Sequence, residues 1–458
     1  MLNNIWLVII SATLYSVSLL HPLLFGWLSL LFLIPLCMAI IRGNSFCFGH
    51  GFLWGLIVNT VVLFPVFLVN FQATIPNIYR AIGATSVLIT YFSVCAGLWF
   101  FISALISQRL RHPAGILAWL SVTFVGYFYF IHRFIMWVFD YRHVWGHVFI
   151  HPVIPLIEYR ICTEMLSVVG LWGFTSLFVI LSIGIAYMLT QSRTNKPLMT
   201  IFLAILFVAA LPLKNSHQNS KKNDEYEWFF QQIGYMIPEA IKTADVNDRI
   251  KNFTQQNPSI RCIITPEVGF RLVPTDELLP ILLPHHNEVE FIFGAFSPVE
   301  EKNTNSTTVY NTAYHVRDSV IVNYYHKYHL VPFSEYVPEF WRSLPGISSW
   351  FIPNDFSTRT AKKMDTVFSF TDIDGNQRLL KPHVCSDVII ADTLIEASDE
   401  KIILAMMRET FFPPYFYTLL RLFVRLKAIT LAKPIVLINY AGGYLIRPDG
   451  TIGELKRV

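Results

Sequence analysis

The sequence predicts two fold classes in series: a multi-pass α-helical membrane domain, then an α/β domain of the α-β-β-α sandwich type. Three observations carry this. The chain has 458 residues, of which 53% are hydrophobic and only 14% charged, whereas an ordinary soluble domain is about 25% charged. The acids are unevenly placed: of 31 Asp and Glu, only Asp140, Glu158 and Glu164 precede residue 224. The first lysine is Lys196. Beyond residue 224, short apolar runs alternate with helical stretches. The domains are therefore 1–213 in the membrane, a polar linker over 214–224, and a water-soluble domain over 225–458. The formal charge of +4 is too small and too scattered to serve nucleic acid.

Taken in order, seven stretches have the roughly 20 apolar residues that a membrane crossing needs. They lie at about 5–20, 23–41, 51–69, 84–107, 114–131, 165–190 and 197–213. The first lacks a basic leader and is followed at once by another apolar stretch, so it reads as a helix and not as a cleaved signal. With the N-terminus inside, the cytoplasmic loops hold Arg42, Arg109, Arg111, Arg193 and Lys196, in line with the positive-inside rule. Seven crossings then place the second domain outside the cytoplasm. Residues 132–164 are too polar to cross yet rich in aromatic residues, as expected of a segment at the membrane interface. His143, His147 and His151 recur there every four residues. Gly146 and Pro152 oppose a helix and no carboxylate completes a ligand set, so no metal is expected. Six dispersed cysteines without a CxxC pair give no disulfide framework.

In the second domain, Arg261–Pro266, Glu290–Phe296, Val320–Tyr325, Val384–Ile390 and Ile435–Tyr440 read as strands covered on both faces. Pro238–Gln256 and Phe416–Lys433 read as helices. Glu267 follows the first of these strands, Lys327 follows the third, and Cys385 lies in the fourth. Strand ends converge on a common edge, where α/β proteins build sites. A thiol needs a base or a cation beside it to become a nucleophile, and a lysine ammonium can hold an oxyanion.

These three blocks resemble the Glu-Lys-Cys motifs of the nitrilase (carbon–nitrogen hydrolase) superfamily. The stretch YHKYHLVPFSEYVP (Tyr325–Pro338) is similar to that of its apolipoprotein N-acyltransferase branch, a family of bacterial inner-membrane enzymes. HGFLWGL (His50–Leu56), VVGLWGFTSLF (Val168–Phe178) and Arg425–Ile452 resemble further blocks of that family, so the likeness runs over nearly the whole chain. It implies that Cys385 is the nucleophile, Glu267 the general base and Lys327 the oxyanion residue, with Glu335 and Asp387 in support. It implies acyl transfer from a phospholipid, through a Cys385 thioester, to the N-terminal amine of a diacylglyceryl-cysteine lipoprotein. No cofactor is implied, and the expected setting is the bacterial inner membrane, with a monomeric enzyme whose catalytic domain faces the periplasm. The apolar stretches Leu344–Ile352 and Phe411–Tyr417 are candidate lids at the lipid surface.

The match has breaks. Asp387 stands where the family has Glu. Arg408–Phe412 replaces an Asn-Asp-Ala-Trp-Phe stretch, and Lys427–Thr430 loses a carboxylate. The family's last strands and final helix are not matched after Ile452–Leu455, which predicts a shortened member. Two alternatives stay open: a membrane-tethered amidase that uses water, and a non-catalytic membrane scaffold.

Overall fold

A computed structural model describes residues 2–43, 47–110, 112–138, 151–191, 224–237, 243–269, 289–298, 307–331, 335–336, 343, 350, 356–358, 366–390, 402–408 and 412–458. The expected seventh crossing, His143 and His147, most of the 344–352 lid stretch and residues 409–411 lie outside these. The chain divides into two compact units. The first comprises Met1–Ser216, Ser343–Trp350 and Phe412–Leu426; the second comprises His217–Arg342, Phe351–Phe411 and Lys427–Val458.

The first unit is helical. Its helices are α1 (Leu2–Leu20), α2 (Pro22–Phe25), α3 (Leu33–Ile41), α4 (Cys47–Val58), α5 (Phe64–Thr74), α6 (Ile78–Ser107), α7 (Pro113–Val138) and α8 (Arg160–Gln191). Four described helical stretches are long and apolar enough to cross a membrane: Pro22–Ile41, Phe48–Gln72, Ile78–Ser107 and Arg160–Thr190. The expected crossings near 5–20 and 114–131 coincide with shorter apolar helices, Asn4–Leu20 and Ala114–Phe128. Small residues let α4 and α6 approach closely. A Cβ on Gly51 would sit 2.3 Å from the Phe100 Cβ, and one on Gly55 would sit 2.8 Å from the Ala96 Cβ. Tyr15 stacks on Phe32 with 4.2 Å between ring centroids, and the Trp54 indole donates to Ser11 Oγ at 3.1 Å. Between α4 and α5 the chain makes a π-helical turn, Asn59–Leu63. Such a turn loosens the backbone ladder, and Tyr415 donates its hydroxyl to the Val62 carbonyl there at 2.6 Å.

The second unit is built on two sheets. In chain order it contains α9 (Asp224–Gln232), β1 (Ile233–Tyr235), α10 (Thr243–Gln256), β2 (Cys262–Ile264), β3 (Glu290–Pro298), β4 (Thr307–Arg317), β5 (Val320–His326), β6 (Phe356–Thr358) and β7 (Phe368–Thr371). It continues with β8 (Gln377–Val384), α11 (Ser386–Ile390), β9 (Ile402–Met406), α12 (Pro414–Leu431, which begins in the first unit), β10 (Ile435–Asn439), β11 (Gly442–Ile446), β12 (Ile452–Glu454) and β13 (Lys456–Arg457). One sheet runs β13-β1-β2-β3-β4-β5, with β6 paired to β4; the other runs β12-β11-β10-β9-β8-β7. Alternate residues of both sheets meet in one core: Cys262, Ile264, Ile292 and Ala313 from the first pack with Leu380, Val384, Leu404, Met406, Val436 and Ile438 from the second. Ile250 and Phe253 of α10 cover the outer face of the first sheet against Phe291, Phe293 and Tyr314. Ile403, Ala405, Ile435 and Leu437 are also fully buried, so the central strands of the second sheet are covered on both faces. This is why their sequences read as continuous apolar runs.

One expected strand is corrected. Val384–Ile390 is not extended: β8 stops at Val384, Cys385 takes a left-handed conformation with φ 51°, and Ser386–Ile390 is helical. The apolar Val-Ile-Ile run imitates a strand, but the Asp387 carboxylate turns back on the Val384 N–H at 3.4 Å and favours the turn, as short polar side chains do.

Candidate functional site

Each of the three residues picked out by strand position stands just past a strand end in the second unit. Glu267 follows β2 through Thr265 and Pro266, Lys327 directly follows β5, and Cys385 directly follows β8. Their side chains are buried: Lys327 is 1% exposed, Glu267 5% and Cys385 8%. The fold brings them together. The Lys327 ammonium lies 3.5 Å from Glu267 Oε1 and 2.8 Å from Glu335 Oε2. Glu335 is held in turn by the Val331 N–H at 2.8 Å. The Cys385 thiol lies close enough to Glu267 for that carboxylate's charge to act on it.

Burial raises the Cys385 pKa well above that of a free thiol, and the Glu267 charge adds to this while Lys327 opposes it. The thiol is therefore protonated at rest. Burial alone would lower the Lys327 pKa, but Cys385 when ionised, Glu335 and Glu267 raise it above its ordinary value. Paired with Glu335 and Glu267, Lys327 is held as a cation. An ammonium taken out of water needs such partners, because an unpaired buried charge is strongly destabilising.

The backbone at Cys385 is strained. A left-handed conformation is uncommon outside glycine and costs of order 1–2 kcal/mol, and such outliers cluster where a side chain must be aimed. Here the turn is tied from several sides. The Cys385 N–H donates to the Met406 carbonyl at 2.8 Å, and Ser386 Oγ donates to the His329 carbonyl. Asp387 is the centre of this tie. Its carboxylate accepts from the His329 N–H at 2.7 Å, the Tyr325 hydroxyl at 2.9 Å and the Tyr328 N–H at 3.4 Å. Asp387 thereby fastens the chain after Lys327 to the turn after Cys385, and it does so directly, without the longer reach of a Glu. Desolvation by burial raises its pKa to about 6 against these hydrogen bonds, which lower it.

Glu267 has a seat of its own. Val268 is a second non-glycine residue with positive φ, at 50°. Gly294 of β3 lies beneath this segment: a Cβ there would come within 2.6 Å of the Val268 nitrogen and 2.7 Å of the Pro266 oxygen.

Sequence reasoning missed Asn311. It is 2% exposed, sits mid-strand in β4, and its Nδ2 donates to Glu267 Oε1 at 2.6 Å and to Glu335 Oε1 at 3.3 Å. One amide thus bridges the two carboxylates that flank Lys327. A polar residue inside the apolar run Val309–Ala313 was the available signal, since Asn is depleted in strands. Tyr325 was likewise read as one more apolar strand residue, although its hydroxyl serves Asp387. Among the described residues no cluster of three or more His, Cys, Asp or Glu is placed to hold a metal. His151 is buried, and its Nδ1 accepts from the Val153 N–H at 3.3 Å.

No family model and no curated protein matches the chain. Among solved structures, it is similar to the glutamine-dependent NAD+ synthetase of Acinetobacter baumannii, at 14% identity and TM-score 0.32, over 48% of this chain and 41% of that one. It is also similar to Saccharomyces cerevisiae Nit3, a member of branch 10 of the nitrilase superfamily, at 15% identity and TM-score 0.32, over 50% of this chain and 85% of that one. The chain therefore spans less than half the length of the synthetase.

Proposed function

We propose that this chain is a nitrilase-type membrane acyltransferase that moves a fatty acyl chain from a phospholipid to the N-terminal amine of a diacylglyceryl-cysteine lipoprotein. The observation that carries the proposal is the Cys385 turn: a buried thiol within reach of the Glu267 charge, in a cluster completed by the ion-paired Lys327. The four apolar helices long enough to cross a membrane suit lipid substrates. The similarity of the Glu267, Lys327 and Cys385 blocks to the lipoprotein-modifying branch supplies the choice of donor and acceptor.

In this reading Glu267 takes the thiol proton as Sγ attacks the ester carbonyl carbon. The C–S bond forms, and Lys327 balances the negative oxygen of the tetrahedral intermediate. The C–O bond to the glycerol then breaks, and Glu267 returns its proton to the departing alkoxide, giving a lysophospholipid and a Cys385 thioester. The neutral amine attacks the thioester next, passes a proton to Glu267, and the C–S bond breaks as the thiol is reprotonated. Glu335, Asn311 and Asp387 position these groups. The setting proposed is the bacterial inner membrane with the second unit on the periplasmic side.

The test is to incubate the purified protein with a phospholipid labelled in its acyl chain. A hydroxylamine-sensitive adduct is expected in the wild type and is expected to be lost in Cys385→Ser. Wild type without an adduct overturns the acyltransferase and leaves a non-catalytic scaffold. An adduct that is discharged by water as fast as by a diacylglyceryl-peptide replaces it with a hydrolase.

A further inference from the structure

Glu267 leaves β2 in a turn that needs outside help to persist. Pro266, Glu267, Val268 and Gly269 form a four-residue turn, closed by the Gly269 N–H on the Pro266 carbonyl at 3.1 Å. Val268 is its third residue and has φ 50°. A branched Cβ makes positive φ a true outlier, and such a conformation persists only where the surroundings over-determine it. The first sheet supplies part of the hold. The Thr265 N–H donates to the Ile292 carbonyl at 2.9 Å, and the Gly294 N–H donates to Thr265 Oγ1 at 3.3 Å. The second sheet supplies a hydroxyl: Tyr440, just past β10, donates to the Val268 carbonyl at 3.3 Å. We infer that Tyr440 is a positioning residue, which holds the Val268 turn so that the Glu267 carboxylate stays within reach of Cys385.

The inference rests on the proposed role of Glu267 as general base and names what sets its place relative to the thiol. Tyr440 opens the tight loop between β10 and β11. There Asn439 Oδ1 accepts from the Ala441 N–H at 3.1 Å and the Gly442 N–H at 2.8 Å. Asn439 is itself buried, so the loop is braced, and the tyrosine ring packs against the core between the sheets. The same strand end is tied to the nucleophile. The Ile438 carbonyl accepts from the Met407 N–H at 2.9 Å, and the Met406 carbonyl accepts from the Cys385 N–H at 2.8 Å. Asp387 thus joins the chain after Lys327 to the Cys385 turn, and Tyr440 joins the turn of Glu267 to the same sheet. Without the hydroxyl, Val268 relaxes towards negative φ and the carboxylate before it moves with the peptide plane. A misplacement of about 1 Å costs up to about 100-fold in rate. One hydrogen bond can therefore matter far more to the chemistry than to the stability of the fold.

The experiment follows the burst of nitrophenolate when the purified full-length protein, in detergent, meets p-nitrophenyl butyrate. This activated ester reads acylation of Cys385 without calling on the lipid donor. Tyr440→Phe keeps the ring and removes only the hydroxyl. Its burst is expected to be slower by about tenfold or more, with an unfolding midpoint close to that of wild type. Glycine takes positive φ without penalty, so adding Val268→Gly to Tyr440→Phe is expected to restore most of the lost rate, which a general loosening of the core would not do. A second cycle uses Glu267→Gln. Because Tyr440 acts through Glu267, adding Tyr440→Phe to that variant is expected to slow the burst no further. The inference is overturned if Tyr440→Phe acylates at the wild-type rate, if a folded double variant with Val268→Gly shows no recovery, or if the Tyr440→Phe factor multiplies in full with that of Glu267→Gln. A wild type with no burst removes the nucleophile and this inference with it. A burst with the activated ester but no adduct with phospholipid removes only the lipid donor, and the role of Tyr440 is still decided by the variants.

Discussion

At the scale of single residues, Asp387 decides whether the site is held together. Four donors converge on its carboxylate, three of them backbone N–H groups. Asp387→Asn keeps the volume but turns one acceptor oxygen into a donor facing donors. The variant is expected to lose about 1–3 kcal/mol of stability and to form the Cys385 adduct at least about tenfold more slowly, measured by thermal unfolding in detergent and by single-turnover labelling. The pH dependence has a definite sign. The folded pKa of about 6 lies above the ordinary carboxylate value of 3.8, so between these values the folded protein holds a proton that the unfolded chain has released. Stability from this group is therefore greatest in acid and falls as pH rises from about 4 to about 6. Asp387→Asn is expected to remove that part of the slope. A melting profile with the same slope in both proteins contradicts the assignment.

At the scale of elements, Glu267 and Lys327 were legible because each follows an apolar run, but the run before Lys327 is not covered on both faces as expected: Val320, Val322 and Tyr324 leave one face of β5 exposed. The strand-to-helix turn at Cys385 was not legible. Val388, Ile389 and Ile390 have strand-like composition, and only the tertiary contacts of Asp387 show why the chain bends there. Asn311 was hidden for a related reason: its partners lie 44 and 24 residues away, and no local pattern encodes a bridge of that length. Gly294 belongs with it, since the residue beneath Glu267 comes from a neighbouring strand. Gly294→Ala places a methyl against the Val268 nitrogen and Pro266 oxygen, neither of which is the end of a flexible side chain. The expected result is displacement of Glu267, with adduct formation reduced by about tenfold or more, while β3 itself, paired on both sides, still forms. In the helical unit, Gly170 interrupts α8 at φ 69° and ψ 174°, a region almost confined to glycine. Gly170→Ala meets no neighbouring atom within 4 Å, so its cost is conformational alone. About 1–3 kcal/mol is expected, read from a lowered melting temperature in detergent.

At the scale of the whole molecule, the distribution of acids announced two kinds of solvent before any element was assigned. Only Asp140, Glu158 and Glu164 precede residue 224, the distribution expected of a domain proposed to lie in a bilayer, where a charge is expensive. The proposed membrane setting leaves to experiment which side the second unit would occupy. Lipoprotein acylation outside the cytoplasm requires an odd number of crossings from an inside N-terminus, and with the six preceding stretches taken as crossings the parity turns on residues 197–213. Two reporter fusions separate the cases. Alkaline phosphatase matures only where disulfides form, outside the cytoplasm. Joined after Gln191, behind the sixth apolar stretch, it is expected to stay inactive in a bacterial host, while a fluorescent protein joined there glows. Joined after Val458, alkaline phosphatase is expected to be active. Inactivity at both positions would mean that 197–213 does not cross. Cys385 would then face the cytoplasm, away from a lipoprotein already exported, and the diacylglyceryl-cysteine acceptor would have to be given up even if the thiol chemistry stands.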